Sequence, residues 1–213
     1  MKTVLFQGDS ITDFHRSREN DGLLGQGYAR FVEGRISADF PGEYKFINRG
    51  ISGNRSVDLY ARIKRDVINL RPDYMSVLIG VNDVWHELDF NNGVSAQKYE
   101  KIYSMFIEEV KKALPNIKIF ILEPFAKPGS IFEERYTKEQ IEDFINEVKL
   151  RAQAAKRIAD KYGLPFIPLQ SKLDELSLKT GDPQYWLYDG VHPAASFHCV
   201  IADEWIKCFK NIK

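Results

Sequence analysis

The sequence predicts an α/β fold in which helices cover both faces of a parallel sheet. Short apolar runs, each bounded by Gly, Pro or polar residues, alternate along the chain with longer segments whose apolar residues recur every three or four positions. Continuous apolar runs of this kind are typical of parallel strands that are buried on both faces. Right-handed crossovers between such strands give a flavodoxin-like, three-layer α/β/α sandwich.

Each element follows from its own local pattern. The predicted strands are residues 3–7, 45–48, 74–79, 117–122 and 165–168, and the clearest predicted helices are residues 27–38, 57–69, 96–113, 138–162 and 195–209. Long loops, residues 86–95 and 124–137, follow the third and fourth strands. Because ligands bind beyond the carboxyl ends of parallel strands, we expect these loops to form the walls of a substrate cleft.

The composition suits one domain that spans residues 1–213 and gives no sign of a charged partner. Of the 213 residues, 44% are hydrophobic, which is enough for a sizeable core, and 30 basic residues balance 30 acidic ones. We therefore expect neither a nucleic-acid partner nor a membrane partner. The N-terminal apolar run is too short for a signal peptide, and no stretch approaches the roughly 18 apolar residues of a membrane span.

Both cysteines lie in the last predicted helix. Cys199 and Cys208 are nine residues apart, which is about 13 Å along a helix and too far for a disulfide between them. They are typical of reduced thiols, so the sequence predicts a cytoplasmic protein.

Three residues have the chemistry of a serine-hydrolase triad. Ser10 follows the first strand in the segment Gly8-Asp9-Ser10, and Asp189 precedes His192 by three residues towards the other end of the chain. A neutral His can take the Ser proton at physiological pH, and an adjacent carboxylate orients the His ring. The simpler alternatives are that Ser10 caps a helix, that Asp189 caps the last helix and that His192 is a surface loop residue.

Two further segments complete a family pattern. They are Asn48-Arg49-Gly50-Ile51-Ser52-Gly53-Asn54 and Gly80-Val81-Asn82-Asp83. They stand between the Ser segment and the Asp–His segment, and the four together resemble the GDSL, or SGNH, hydrolase family. The four signature residues of that family fall on Ser10, Gly53, Asn82 and His192. The resemblance implies a sheet with strand order 2-1-3-4-5 and a serine esterase that needs no metal or organic cofactor.

The resemblance also assigns three donors to the oxyanion that forms when an ester carbonyl is attacked. They are the backbone amides of Ser10 and Gly53 and the side-chain amide of Asn82. Preorganised donors of this kind stabilise the transition state by about 3 kcal/mol each. A Gly amide can approach closely because no Cβ blocks it, and an Asn side chain offers two N–H donors. The alternatives are an ordinary turn glycine at Gly53 and a turn residue before a helix at Asn82.

The blocks GDSITD, NRGISGN and GVNDVW are most similar to those of bacterial acetylxylan esterases and related carbohydrate deacetylases. This similarity implies hydrolysis of short acyl esters, chiefly O-acetyl groups on xylo-oligosaccharides or related carbohydrates, through an acyl-enzyme. The expected partner is thus a small acylated substrate. Two alternatives remain: a lysophospholipase or acyl thioesterase of the same family, and a non-catalytic flavodoxin-like binding module.

The candidate substrate-binding residues are Asp9, Trp85, His86 and Tyr188. We also expect Asp9 and Asp83 to support the loops of the site through hydrogen bonds to backbone amides. For His15 and His198 we expect no chemical role, and the spacing of the His and acidic residues fits no compact metal motif.

Aromatic residues crowd the loop regions, and the default interpretation of each is a core or interface residue. Those that are exposed could contact sugar rings or form the subunit contact of a homo-oligomer. They are Trp85, Phe90, Phe125, Phe132, Tyr136, Tyr185, Trp186 and Tyr188.

Overall fold

Five parallel strands form one sheet within residues 1–129 and 134–213, which the computed structural model describes. They are β1 (Lys2–Gly8), β2 (Tyr44–Asn48), β3 (Tyr74–Leu78), β4 (Lys118–Leu122) and β5 (Phe166–Ile167). Their order is β2-β1-β3-β4-β5, and every neighbouring pair is parallel. The predicted strands, their direction and their order are therefore confirmed. Because β1 lies between β2 and β3, the carboxyl ends of these three strands are adjacent.

Helices connect the strands and cover the sheet. In the described residues they are α1 (Ser10–Asp13), α2 (Tyr28–Asp39), α3 (Ser56–Ala61), α4 (Ile63–Asp66), α5 (Val81–Phe90), α6 (Ala96–Ala113), α7 (Lys138–Tyr162), α8 (Gln170–Thr180) and α9 (Ala195–Ile212), with short 3₁₀ turns at Ile68–Leu70 and Pro183–Tyr185. No helix in this part of the chain is long and apolar enough to cross a membrane. Cys199 and Cys208 of α9 are both free thiols.

Two hydrophobic clusters fill the two faces of the sheet. Val4 and Phe6 of β1 belong to the cluster that α2 and α9 cover, where the ring of Trp205 packs 5.3 Å from that of Phe6. Leu5 points to the opposite face, as successive strand residues do, and belongs to the cluster that α3 and α6 cover. Helix α7 contributes residues to both clusters. This arrangement is the predicted three-layer sandwich.

The predicted helix over residues 57–69 is wrong in its continuity. The segment divides into α3, α4 and a 3₁₀ turn, and the first break falls at Arg62. The Arg62 guanidinium donates hydrogen bonds to the carbonyl oxygens of Arg49, at 2.8 Å, and Gly8, at 3.2 Å. These tertiary bonds favour a broken segment over the regular helix that the apolar spacing indicates.

The predicted loop over residues 86–95 is also wrong, because residues 81–90 form α5. This helix begins after Gly80 and ends at Asn91, which adopts the left-handed conformation at φ 50° and caps the last turn. The loop is therefore short, and Trp85 and His86 lie on a rigid helix. Helix α8 was likewise not predicted. Of the predicted loop over residues 124–137, residues 130–133 lie outside the described residues.

Candidate active site

Three adjacent strands, β2, β1 and β3, bring the segments that follow them together at the carboxyl edge of the sheet. Ser10 follows β1, Gly53 follows β2, and Asn82 follows β3. Two hydrogen bonds tie the segment after β2 to the segment after β1: the Ile51 amide donates to the Gly8 carbonyl oxygen at 3.1 Å, and the Ser52 amide donates to Asp13 Oδ2 at 3.0 Å. Strand order alone thus places Ser10 between the two predicted oxyanion segments.

Gly8 makes the turn at Ser10 possible. A Cβ at this position would lie 2.4 Å from the Leu78 carbonyl oxygen and 2.4 Å from Thr12 Oγ1, so only glycine fits between β3 and α1. The cap of α1 is Asp9, whose carboxylate accepts a hydrogen bond from the Ile11 amide at 3.0 Å. Ser10 is the first residue of α1, so the alternative in which Ser10 itself is the cap is wrong.

Ser10, His192 and Asp189 form a continuous hydrogen-bonded chain. Ser10 Oγ lies 2.8 Å from His192 Nε2, and His192 Nδ1 lies 2.6 Å from Asp189 Oδ2. With an ionised Asp189 the proton sits on Nδ1, which leaves Nε2 free to accept the Ser10 proton.

The electrostatics of the Ser10–His192–Asp189 triad favour an ionised carboxylate beside a basic imidazole. Burial works to lower the pKa of His192, but the hydrogen bond to Asp189 and the charge of that carboxylate outweigh it and leave the pKa raised. Burial works to raise the pKa of Asp189, and its bonds with His192 leave that pKa lowered. The arrangement can deprotonate the Ser10 hydroxyl as it attacks a carbonyl carbon.

A short antiparallel bridge holds the Asp–His segment in shape. Leu187 pairs with Pro193, and the Tyr188 amide donates to the His192 carbonyl oxygen at 2.8 Å. The segment is fixed to the loop after β4 by the Lys127 amide, which donates to the Gly190 carbonyl oxygen at 2.9 Å. Asp189 and His192 are therefore positioned as one unit.

Asn82 and the segment of Gly53 are linked directly. Asn82 Nδ2 donates to the Asn54 carbonyl oxygen at 3.2 Å, which uses one of its two N–H bonds. Gly53 has a φ of 79°, in the left-handed region that favours glycine. Asp83 accepts hydrogen bonds from the Ser56 amide, at 3.0 Å, and from the Ser56 hydroxyl, and so fixes the next residues of the same segment.

The hydrogen bonds expected of Asp9 and Asp83 to backbone amides are present. Both Asp9 and Asp83 bind backbone amides, and burial raises the pKa of each to about 7. Asp9, however, is only 1% exposed. Its carboxylate caps the start of α1, and a role for Asp9 in substrate binding stays a prediction.

The other three predicted substrate residues surround the triad. The Trp85 ring lies 6.0 Å from the His192 ring, and its Nε1 donates to Tyr136 Oη at 3.2 Å. His86 lies beside Gly53, since a Cβ there would be 3.9 Å from His86 Nε2. Tyr188 is 59% exposed.

The remaining loop aromatics differ in burial, and Tyr136 and Trp186 are partly buried against the core. Phe90 and Tyr185 are exposed, whereas Phe125 is buried against Phe197 and belongs to the core. Phe132 lies outside the described residues.

A cavity of about 390 Å³ opens at Ser10 and His192, and its wall was largely missed by the sequence analysis. The other lining residues are Asp13, Phe14, His15, Arg16, Arg18 and Ser52. His15 therefore lies at the site, against expectation, whereas His198 is buried and its pKa is lowered to about 4 by burial. Lining residues 13–16 and 18 follow Ser10 closely in sequence, beyond the carboxyl end of β1, and this position was a usable signal. No group of three or more His, Cys, Asp or Glu side chains is placed to hold a metal ion in the described residues.

Comparison with known proteins decides the family. The family model for the GDSL-like lipase/acylhydrolase family matches residues 6–198. The chain belongs to this family. It is 33% identical over 214 aligned residues to the acetylxylan esterase of Geobacillus stearothermophilus, an alignment that covers 96% of this chain and 92% of that protein.

Solved structures of this family share the fold. A catalytic mutant of the same Geobacillus esterase superposes with a TM-score of 0.84 at 32% identity, covering 97% of this chain and 93% of that one. A GDSL-like protein from Parabacteroides merdae gives a TM-score of 0.86 at 30% identity, with 97% and 94% covered. Membership of this family of esterases makes the chain a carboxylic ester hydrolase that acts on a small acylated substrate.

Proposed function

We propose that the chain is a serine esterase that removes short acyl groups, chiefly O-acetyl groups, from xylo-oligosaccharides or related carbohydrates. The observation that carries this proposal is the unbroken chain of hydrogen bonds from Ser10 Oγ through His192 to Asp189, at 2.8 and 2.6 Å. A hydroxyl, a neutral base and an orienting carboxylate in this order are the parts of acyl transfer through a covalent intermediate.

In the first half of the reaction the acyl group moves to Ser10. Ser10 Oγ attacks the carbonyl carbon of the ester while its proton passes to His192 Nε2. The carbonyl oxygen becomes an oxyanion, which the Ser10 amide, the Gly53 amide and the free N–H of Asn82 stabilise. His192 then gives its proton to the sugar oxygen, the ester C–O bond breaks, and the deacetylated sugar leaves an acetyl group on Ser10.

In the second half water replaces the sugar. His192 takes a proton from the water as its oxygen attacks the acetyl carbon, and the same donors stabilise the second oxyanion. The proton returns to Ser10 Oγ as the acyl bond breaks, so acetic acid leaves and the free enzyme is restored. Asp189 stabilises the imidazolium at each stage without itself becoming protonated.

The lining of the cavity supports a polar acyl acceptor. Among the described residues that line it, Phe14 alone is apolar, and the others are hydroxyl, imidazole, carboxylate or guanidinium side chains. An enzyme for long acyl chains would gain about 0.8 kcal/mol for each CH₂ that it buries, and so would present an apolar wall. The relative from Geobacillus is named an acetylxylan esterase, and its catalytic mutants include a serine and an aspartate replaced by alanine.

A substrate series tests the proposal. We expect kcat/KM to be highest for acetyl among p-nitrophenyl esters of acetate, butyrate, octanoate and palmitate, and we expect acetate release from acetylated xylo-oligosaccharides. A fluorophosphonate should label wild type and leave Ser10→Ala unlabelled. Preference for octanoyl or palmitoyl esters would favour a lysophospholipase or thioesterase, and a chain that is unlabelled, inactive and coloured by bound flavin would favour a binding module.

A further inference from the structure

A second cavity, of about 420 Å³, lies beside the one at Ser10 and is lined mainly by arginines. Its lining residues are Arg16, Arg18, Arg49, Ile51, Arg65 and Asp66. Arg16 and Arg18 line both cavities, so the two spaces share one wall. The two cavities are therefore neighbours, and a substrate that occupies both would pass Arg16 and Arg18.

The ion pairs around this cavity leave positive charge uncompensated. Four guanidinium groups line the cavity, and a fifth, that of Arg62, is joined to it through Asp66. Four of the five have carboxylate partners: Arg18 binds Asp13, Arg49 binds Asp21, and Arg62 and Arg65 share Asp66. Five cations thus face three carboxylates among the described residues. An excess of this size around a cavity attracts anions.

Arg16 is the one cation of this group that forms no ion pair with a carboxylate among the described residues. Its Nε donates to the Gly50 carbonyl oxygen at 2.7 Å and its Nη1 to the Ser17 carbonyl oxygen at 3.1 Å. Two neutral carbonyls orient the guanidinium but do not neutralise it. Burial lowers the pKa of Arg16 to about 10, and the repulsion of Arg18 adds to this effect while the charge of Asp13 opposes it.

Arg49 has spare donor capacity at the same place. Its Nη1 and Nη2 bind Asp21 at 2.6 and 3.0 Å, whereas its Nε is buried without a hydrogen-bond partner among the described residues. A buried donor without a partner destabilises the free protein.

We propose that this arginine cavity is a subsite for the carboxylate of an acidic sugar unit in the acylated oligosaccharide. The inference rests on the proposed carbohydrate esterase function and adds a charge preference to it. Guanidinium groups present planar pairs of N–H donors that match the two oxygens of a carboxylate, and such charge-assisted bonds are the strong ones. Asp13 and Asp66 also line the walls, but each is already bonded to arginine.

Matched substrate pairs that differ only in charge test this subsite. The first pair is the O-acetylated methyl glucuronoside and its uncharged methyl ester. The second is 4-acetoxybenzoate and its methyl ester, which needs no sugar recognition. Each kcat/KM is divided by the rate of alkaline hydrolysis of the same compound, which removes the difference in intrinsic reactivity. We expect wild type to prefer the carboxylate of at least one pair about tenfold, and sodium chloride at 0.5 M to reduce that preference several-fold.

Variants assign the preference to Arg16. In Arg16→Gln the ratio of carboxylate to methyl ester should fall towards one, and because both members share the acetyl group, the ratio is unaffected by changes in acyl transfer. Arg16→Lys keeps the charge and should retain part of the preference. Arg30→Gln, in which an exposed arginine of α2 is changed, is the matched control and should keep the wild-type ratio. If Arg16→Gln does not fold, Arg16→Lys and the salt series on wild type carry the test.

The outcomes separate this subsite from the proposed function. A wild-type ratio near one in both pairs, or a tenfold ratio that survives Arg16→Gln, overturns the subsite even if neutral acetylated xylosides are good substrates. A tenfold ratio for acetoxybenzoate with no acetate released from any sugar supports the subsite and overturns the carbohydrate assignment.

Discussion

Asp189 holds His192 at two points: Oδ1 accepts the His192 backbone amide at 2.7 Å, and Oδ2 lies 2.6 Å from the ring Nδ1. One carboxylate therefore fixes both the main chain and the ring of the proposed base. Rotation of the ring would break its bond to Oδ2 and leave the bond between Oδ1 and the backbone amide intact. Predictions about pH and about the triad follow from this double contact.

The pH profile should have an acid limb above the ordinary pKa of histidine, which is 6.5. The hydrogen bond and charge of Asp189 overcome the effect of burial and raise the pKa of His192, and only the neutral ring can accept the Ser10 proton. The rate should therefore fall about tenfold per pH unit below that raised pKa. Asp189→Asn should move the limb to lower pH and reduce kcat by about 10⁴-fold. Profiles of kcat/KM from pH 5 to 9 check this, and a limb that stays in place in Asp189→Asn would contradict it.

Single and double removal of the proposed nucleophile and base should cost nearly the same. Ser10→Ala should lower kcat by roughly 10⁶-fold, and Ser10→Ala combined with His192→Ala should be little worse, because the members of a triad act as a unit. Burst and steady-state rates with p-nitrophenyl acetate measure this, and circular dichroism confirms the fold. Losses that multiply would show that His192 does not act through Ser10.

Asn82→Ala should impair the transition state more than ground-state binding. Asn82 donates one side-chain N–H to the Asn54 carbonyl oxygen, and its second N–H is available to an oxyanion. We expect kcat to fall by about 10²–10³-fold with KM within about twofold of wild type. A rise in KM alone would place Asn82 in substrate binding.

Gly8→Ala should destabilise the fold, because its Cβ would lie 2.4 Å from the Leu78 carbonyl oxygen. Overpacking of this kind costs about 1–3 kcal/mol, which urea unfolding can measure. Gly34→Ala is the matched control: it lies within α2, and no atom is within 4 Å of its Cβ position. That control should increase the free energy of unfolding by up to about 1 kcal/mol. Equal effects of both substitutions would refute the steric account of Gly8.

Trp85→Ala should relax the preference for short acyl groups. The Trp85 ring lies 6.0 Å from the His192 ring and 5.9 Å from that of Phe144, so its removal opens space next to the base. We expect the ratio of butyryl to acetyl kcat/KM to increase several-fold, and Trp85→Phe, which keeps a ring, to change it less. An unaltered ratio in Trp85→Ala would place the acyl group on another side of His192.

The sequence predicted the parts of this molecule that depend on local pattern. Buried parallel strands are recognisable as apolar runs. The strand order, and with it the grouping of Ser10, Gly53 and Asn82 in one site, came instead from the resemblance to the hydrolase family. The pairing of Asp189 with His192 could also be predicted locally, because the two residues are only three positions apart in one loop. The cytoplasmic location and a homo-oligomer stay predictions.

The errors arose where tertiary contacts override local pattern. Arg62 breaks a regular apolar repeat because its guanidinium binds carbonyls on two other segments, which no spacing reveals. The burial of Asp9, whose carboxylate accepts a hydrogen bond from the Ile11 amide, is likewise not visible in the local sequence. The arginine cavity combines residues 16, 18, 49 and 65 from separate loops and helices, so its excess positive charge is a property of the folded chain and not of any one segment.

The distance in sequence between Ser10 and His192 has a consequence for how the enzyme regains activity after denaturation. Their hydrogen bond spans 182 positions, whereas β1 needs only the first part of the chain to pair with β2 and β3. Closing so long a loop has a large entropic cost, which is offset only when the intervening segments have folded. On dilution from urea, spectroscopic signals of the sheet should therefore recover before hydrolysis does. Recovery of turnover then measures the arrival of the Asp–His segment on a preformed sheet.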